Sequence, residues 1–322
     1  MKRLFRPVLL PLLAAMLSAS AGATEVKGLS MQVHDLATPF VQVWERNAGK
    51  PDAEFLRDFR STIGARFPGF YDAQRFSGMF TPAQYENMIV KARAEFPSMR
   101  AAYEKKVARF TQELPGHIAS FRASFPDYAA KTDIWFLHSL GEMDGGTRTL
   151  DGKTYFVFGA DAMVKYHGDG DEAAFFHHEL FHDYHEMECS GEPIWASLWN
   201  EGLATYVAKR MNPAANNSEL LLDIPRNLVA DTQKQLGRAF EDLHGKLDSD
   251  DRTAYAGLFQ GRGGDDTGLP ARRGYYLGYL VAEDIGKTMS MQQMAKLDCA
   301  SARTAVLASV ERLRKAHAAS AK

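Results

Sequence analysis

An α+β fold that is predominantly helical, with one small sheet beside a helix pair, is predicted by three observations. Apolar side chains recur at spacings of three and four over most of the chain, as in Tyr103, Val107, Phe110 and Leu114. Two short β-type runs, Ile134-Trp135-Phe136-Leu137 and Tyr155-Phe156-Val157-Phe158, are set off by turn residues at Gly141 to Thr147 and Asp151-Gly152. After them come His178-Glu179-Leu180-Phe181-His182 and, past eighteen intervening residues, Glu201 within Trp199-Asn200-Glu201-Gly202-Leu203-Ala204.

From the amino terminus, Lys2, Arg3 and Arg6 precede the apolar run Pro7 to Leu17 and the small residues Ala19-Ser20-Ala21-Gly22-Ala23. This order predicts a secretory signal peptide over residues 1–23, cleaved after Ala23 or Ala21. The apolar run is too short to span a bilayer, and no Cys follows it to take a lipid, so a periplasmic or secreted protein without stable membrane insertion is expected. Loss of residues 1–23 leaves 35 basic against 40 acidic side chains, a formal charge of −5, which disfavours nucleic acid as a partner. The remainder suffices for a large core, as one extended domain or two lobes.

Residues 24–130 read as a helical N-terminal subdomain. Thr81-Pro82 and Ser98 are expected helix starts, and Phe96-Pro97, Leu114-Pro115-Gly116 and Phe125-Pro126 expected stops. Residues 131–322 open with the two β-type runs. If their strand is an exposed edge, Phe156 to Gly159 would lie along an extended substrate; otherwise the pair is a core hairpin.

Asp171 to Glu188 is continuous in helix-compatible residues, with an apolar side formed by Phe175, Phe176, Leu180, Phe181, Tyr184 and Met187. Two histidines four apart stand one above the other on a helix, so His178 and His182 can grip one metal ion. Glu179 sits about 100° further round, beside the metal but off the ligand face, where a carboxylate can take a proton from water. A catalytic zinc uses three protein ligands and keeps a fourth position open, and Glu201 is the candidate third ligand. Gly191 and Pro193 mark a reversal that would return a second helix toward the His pair. Thr205, one turn beyond Glu201, is a candidate to orient a metal-bound group, with Asn200 competing.

These residues resemble the gluzincin metallopeptidases, which pair a His-Glu-x-x-His helix with a Glu ligand on the next helix. The spacing and the Asn-Glu-Gly-Leu-Ala string are similar to the membrane alanyl and leucyl aminopeptidase branch. The region from Ile134 to about Ile285, roughly half the chain, resembles a bacterial family of predicted zinc-dependent proteases with unassigned substrates. The resemblance implies a zincin-like catalytic domain over 131–322 and one Zn2+ held by His178, His182 and Glu201. It also implies Glu179 as catalytic base in the hydrolysis of a peptide or protein substrate. In the aminopeptidases a Tyr-x-x-Gly tyrosine binds the oxyanion; Tyr275-Tyr276-Leu277-Gly278 matches and points to Tyr275, with Tyr276 and Tyr279 as neighbouring alternatives. A phenol suits that task because it donates at neutral pH without charge. The Gly-Ala-Met-Glu-Asn strand that anchors a free amino terminus is only echoed by Gly159-Ala160-Asp161-Ala162-Met163. Asp161 therefore receives no amine-binding role, and endo- against exopeptidase action stays open.

The remaining features offer pairs of readings. Gly261 to Gly268 is a Gly and Asp cluster expected to form a loop, and a lid beside Tyr275 is one use for it. Arg272 and Arg273 border Tyr275 as candidates for a substrate carboxylate or as solvated surface. His185 is the nearest spare metal ligand. Cys189 and Cys299, the only cysteines, form one disulfide or stay as two buried thiols. A non-catalytic zinc-binding envelope protein on a peptidase scaffold is the alternative to an enzyme.

Overall fold

The computed structural model describes residues 24–25, 31–185, 187, 189, 193–261 and 265–318. The expected signal peptide lies outside the described residues. In chain order the elements are β1 (Thr24–Glu25), β2 (Gln32–Asp35), α1 (Ala37–Arg46), α2 (Asp52–Thr62), α3 (Pro82–Ser124), β3 (Ile134–Leu137), β4 (Gly145–Leu150) and β5 (Lys153–Gly159). They continue with α4 (Ala160–His167), α5 (Ala173–His185), α6 (Ile194–Met211), α7 (Leu228–Gln233), α8 (Leu236–His244), α9 (Arg252–Phe259), α10 (Arg273–Ile285), α11 (Met291–Met294) and α12 (Cys299–Ala318). The fold is α+β and predominantly helical, with a single sheet among the described residues. None of the helices described is long and apolar enough to cross a membrane.

The first departure from expectation is α3, which runs unbroken for 43 residues through Pro97 and Pro115. Thr81 does start it, with a reciprocal capping box to Gln84, and the helix does end at Phe125. Neither Pro97 nor Pro115 stops it, and Ser98 starts nothing. An internal proline costs about 3 kcal/mol because it lacks an N–H and strands the carbonyl four residues back. At Pro97 that carbonyl belongs to Arg93, and the Trp44 indole N–H donates to it at 3.1 Å. A buried stripe of Tyr85, Ile89, Phe96, Tyr103, Phe110, Leu114, Ile118 and Phe121 supplies the rest, at about 1.5–3 kcal/mol for each large side chain removed from water.

The sheet has the order β1-β2-β3-β5-β4. β2, β3 and β5 run parallel, with Ile134 beside both Val33 and Phe156, while β4 is antiparallel to β5, Gly145 opposite Phe158. Residues Ile134–Leu137 and Tyr155–Phe158 are strands as expected. However, β5 is interior, its backbone paired on both sides, so Phe156 to Gly159 has no free edge to offer a substrate. The edge on that side is β4, whose first three residues, Gly145 to Thr147, belong to the segment expected to be turn.

One hydrophobic cluster joins the helices before the sheet to those after it. Phe110 of α3 stacks on Phe136 of β3, with centroids 3.8 Å apart, and meets Phe176 of α5 at 5.4 Å. Those three rings fix α5 against the sheet. Further along, α6 and α10 cross in near contact: a Cβ on Gly202 would lie 2.2 Å from the Gly278 backbone. Only glycine at both positions permits that approach, and it brings the amino-terminal half of α10 to the level of Glu201. Cys189 and Cys299 form a disulfide across 110 residues of chain, tying the α5–α6 connection to the start of α12.

Candidate metal centre

Helices α5 and α6 bring the three expected donors together. His178 Nε2 and His182 Nε2 are 3.0 Å apart, and Glu201 Oε2 is 3.4 Å from each. Three donor atoms at such separations suit a tetrahedral ion with bonds of about 2.1 Å, and two imidazoles with one carboxylate form a donor set proper to zinc. Among the described residues this is the one group of three or more His, Cys, Asp or Glu donors close enough to share an ion. His185 is not part of it. Its buried ring lies on Phe181 at 5.0 Å instead.

The surroundings prepare each ligand. The Thr205 hydroxyl donates to the Glu201 carbonyl at 2.8 Å, which leaves its lone pairs toward His178 Nδ1, 3.5 Å away. A proton held at Nδ1 leaves Nε2 bare for a cation. Asn200 instead donates to Met187 O in the α5–α6 connection. Burial lowers the His178 pKa. Burial acts the same way on His182, but the Glu201 charge outweighs it and pushes His182 up to about 9. Against burial, the two imidazoles hold Glu201 well below the usual carboxylate range. The cluster thus keeps its anion and takes up a positive charge, a charge that a divalent cation could supply in place of the proton.

Glu179 is not among the three donors. It is 7% exposed and packs against the start of β4, where a Cβ on Gly146 would be 3.6 Å from its Oε2. A Cβ on Gly145 would lie 2.5 Å from the Phe175 ring and 3.2 Å from Glu179 Cγ, so only glycine fits between them. Burial pushes the Glu179 pKa up to about 8, with the Asp144 and Glu201 charges adding to it and His182 and His167 opposing.

Of the three candidate tyrosines, two are engaged elsewhere. Tyr276 accepts from Gln233 Nε2 at 2.8 Å and Tyr279 donates to Glu283 at 2.8 Å. Tyr275 is near enough to feel the Glu201 charge: burial and then that charge raise its pKa well above the ordinary value, so it stays a neutral donor. Arg272 and Arg273 part company. Arg273 is fully buried and binds Asp242, Asp265, Gly257 O and Pro270 O. Its grip on Asp265 also pins the middle of the expected loop, of which residues 262–264 lie outside the described residues. Arg272 lies over the Tyr275 ring, 4.5 Å from its centroid.

Sequence reasoning missed a second cluster beside Glu179. His167 sits between Asp144 Oδ2 at 3.0 Å and Glu172 Oε1 at 3.4 Å, and Glu172 in turn accepts from Lys106 Nζ at 2.7 Å. Lys106 and Glu172 are almost wholly buried. The available signal was a lysine at position 106, on the apolar stripe between Tyr103 and Phe110. A Ser120–His177 contact of 2.6 Å resembles a nucleophile and its base but is wired the other way. Asn212 Nδ2 donates to His177 Nδ1, so the proton lies on Nε2 and points at the hydroxyl.

Comparison with protein-family models, with curated proteins and with solved structures finds no match.

Proposed function

We propose that this protein is a zinc-dependent peptidase that hydrolyses peptide bonds with Glu179 as general base. The observation that carries this reading is the position of Glu179. It is buried beside three convergent donors, excluded from their ligand face, and set against the glycines of an open sheet edge. A structural metal site has no use for such a base. Held by His178, His182 and Glu201, zinc would supply Lewis acidity, acidifying water and polarising the scissile carbonyl.

The chain's own groups account for the rest. An extended peptide adds to the edge at β4, its backbone pairing with Gly145 to Leu150. Glu179, in its ionised form, accepts the proton of the attacking water and returns it to the departing amine, and the burial that raises its proton affinity suits it to both tasks. The neutral Tyr275 phenol donates to the developing oxyanion. The likeness of His178-Glu179-x-x-His182 and Glu201 to the gluzincin pattern supports the same assignment. The disulfide between Cys189 and Cys299 supports an oxidising compartment, the periplasm or the outside of the cell, reached through a signal peptide at residues 1–23.

The test is hydrolysis of a mixed peptide library with and without chelator, the products read by mass spectrometry. Chelator-sensitive cleavage is expected, and Glu179→Gln should keep its zinc while turnover falls by about 10²–10⁴-fold. Near wild-type cleavage by Glu179→Gln contradicts the mechanism. A zinc-loaded wild type that cleaves nothing favours the non-catalytic envelope protein.

A further inference from the structure

Arg272 is a cation that the fold places beside the proposed site without giving it an anion. Among the described residues it pairs with no carboxylate, whereas its neighbour Arg273 binds both Asp242 and Asp265. It is only partly buried, so the guanidinium keeps an open side. Its backbone is left-handed, with φ of 61°, a conformation that costs a side-chain-bearing residue about 1 kcal/mol and is tolerated where the surroundings impose it. Two contacts impose it here: the Arg272 N–H donates to Gly257 O at 3.2 Å, and its carbonyl accepts the Tyr275 N–H at 3.2 Å. The result aims the guanidinium over the face of Tyr275, at 4.5 Å. A guanidinium has five N–H donors, so one that lies over a ring and reaches its hydroxyl still has a pair left, and that fork fits a carboxylate.

Gly278, one turn along α10 from Tyr275, lies against Gly202, the residue after Glu201, so the start of α10 that carries Arg272 and Tyr275 stands beside a proposed ligand. We propose that Arg272 is a specificity-determining residue that binds a carboxylate on the peptide near the scissile bond. The proposal rests on the peptidase reading and narrows it to peptides with an anionic group next to the cleaved bond. That group is either the C-terminal carboxylate or an Asp or Glu side chain.

The test separates the two sources and separates this proposal from the reading beneath it. Zinc-loaded Glu179→Gln protein, which holds peptide without turning it over, is titrated calorimetrically with matched pairs. One pair is a free-acid peptide and its C-terminal amide; the other carries Asp or Asn beside the scissile position. One pair should show about ten- to a hundred-fold tighter binding of the anionic member. Which pair does so identifies the source. Arg272→Gln should abolish the preference and leave the neutral peptide's affinity unchanged, while Arg272→Lys should restore part of it. Equal weakening of both members by Arg272→Gln means that Arg272 only supports Tyr275, and overturns the proposal, as does a preference that survives the substitution. An Arg272-dependent preference in binding, together with no cleavage by the wild type, overturns the peptidase reading and upholds the carboxylate site.

Discussion

Two histidine–carboxylate clusters lie beside helix α5, and they differ in the source of their positive charge. In one, Lys106 reaches in from α3, so that Lys106, Glu172, His167 and Asp144 alternate in sign and close among themselves. In the other, His178, His182 and Glu201 converge on a common point, and the described residues bring no lysine or arginine into ion-pair distance of Glu201. In the closed chain the partners of His167 stand on opposite nitrogens, which spreads the charges in a line. In the open cluster every donor points the same way. A buried anion needs a cation. A fold that supplies one internally makes a strut, and a cluster without one among the described residues is a candidate to take an ion from outside.

The sharpest way to break the comparison is at Lys106. Lys106→Met removes the cation from the closed chain and leaves Glu172 buried without it, at an expected loss of about 3–5 kcal/mol in chemical denaturation. Zinc affinity should hold, because the ligands are untouched. If Lys106→Met instead abolished zinc binding at unchanged stability, the two clusters would have to be one functional unit. Next in size is the disulfide. Replacing Cys189 and Cys299 with serine should cost about 2–4 kcal/mol and lower the melting temperature, since the bond closes a long loop. No change in melting temperature would mean that the bond does not form in the folded protein.

The smallest effect concerns acid. His177 and His185 are each lowered to about 4, chiefly by burial, so both stay neutral in the folded protein while unfolded histidine titrates near 6.5. A folded pKa below the unfolded one gives stability that is present above pH 6.5 and lost as pH falls toward 4. The loss should reach up to about 3 kcal/mol per histidine, and His185→Gln should flatten the melting profile across that window. A profile unchanged by that substitution would show that burial of His185 has no part in the acid sensitivity.

Much of this was legible in the residues themselves. His178, His182 and Glu201 could be placed together because helical period and a reversal near Pro193 leave little freedom, and β3 because Ile134-Trp135-Phe136-Leu137 has no other reading. What stayed hidden depends on tertiary contact. Pro97 reads as a stop until Trp44, 53 residues earlier, caps the carbonyl it strands. Gly145 and Gly146 read as a turn, yet on the edge strand Gly145 is glycine because the Phe175 ring leaves no room for a Cβ, and Gly146 because its φ is 128°. The edge strand was consequently sought one strand too far in. Arg272 and Arg273 are indistinguishable as letters, and only the position of Asp242 and Asp265 separates the strut from the cation that pairs with no carboxylate among the described residues.

Calorimetric titration of zinc into the metal-stripped protein, with His182→Ala and Glu201→Ala beside the wild type, decides whether the three donors hold an ion. One ion per chain is expected for the wild type, with proton release as His182 gives up its charge, and loss of that site in both variants. Binding of zinc with equal affinity by all three proteins, or by none, would contradict that expectation.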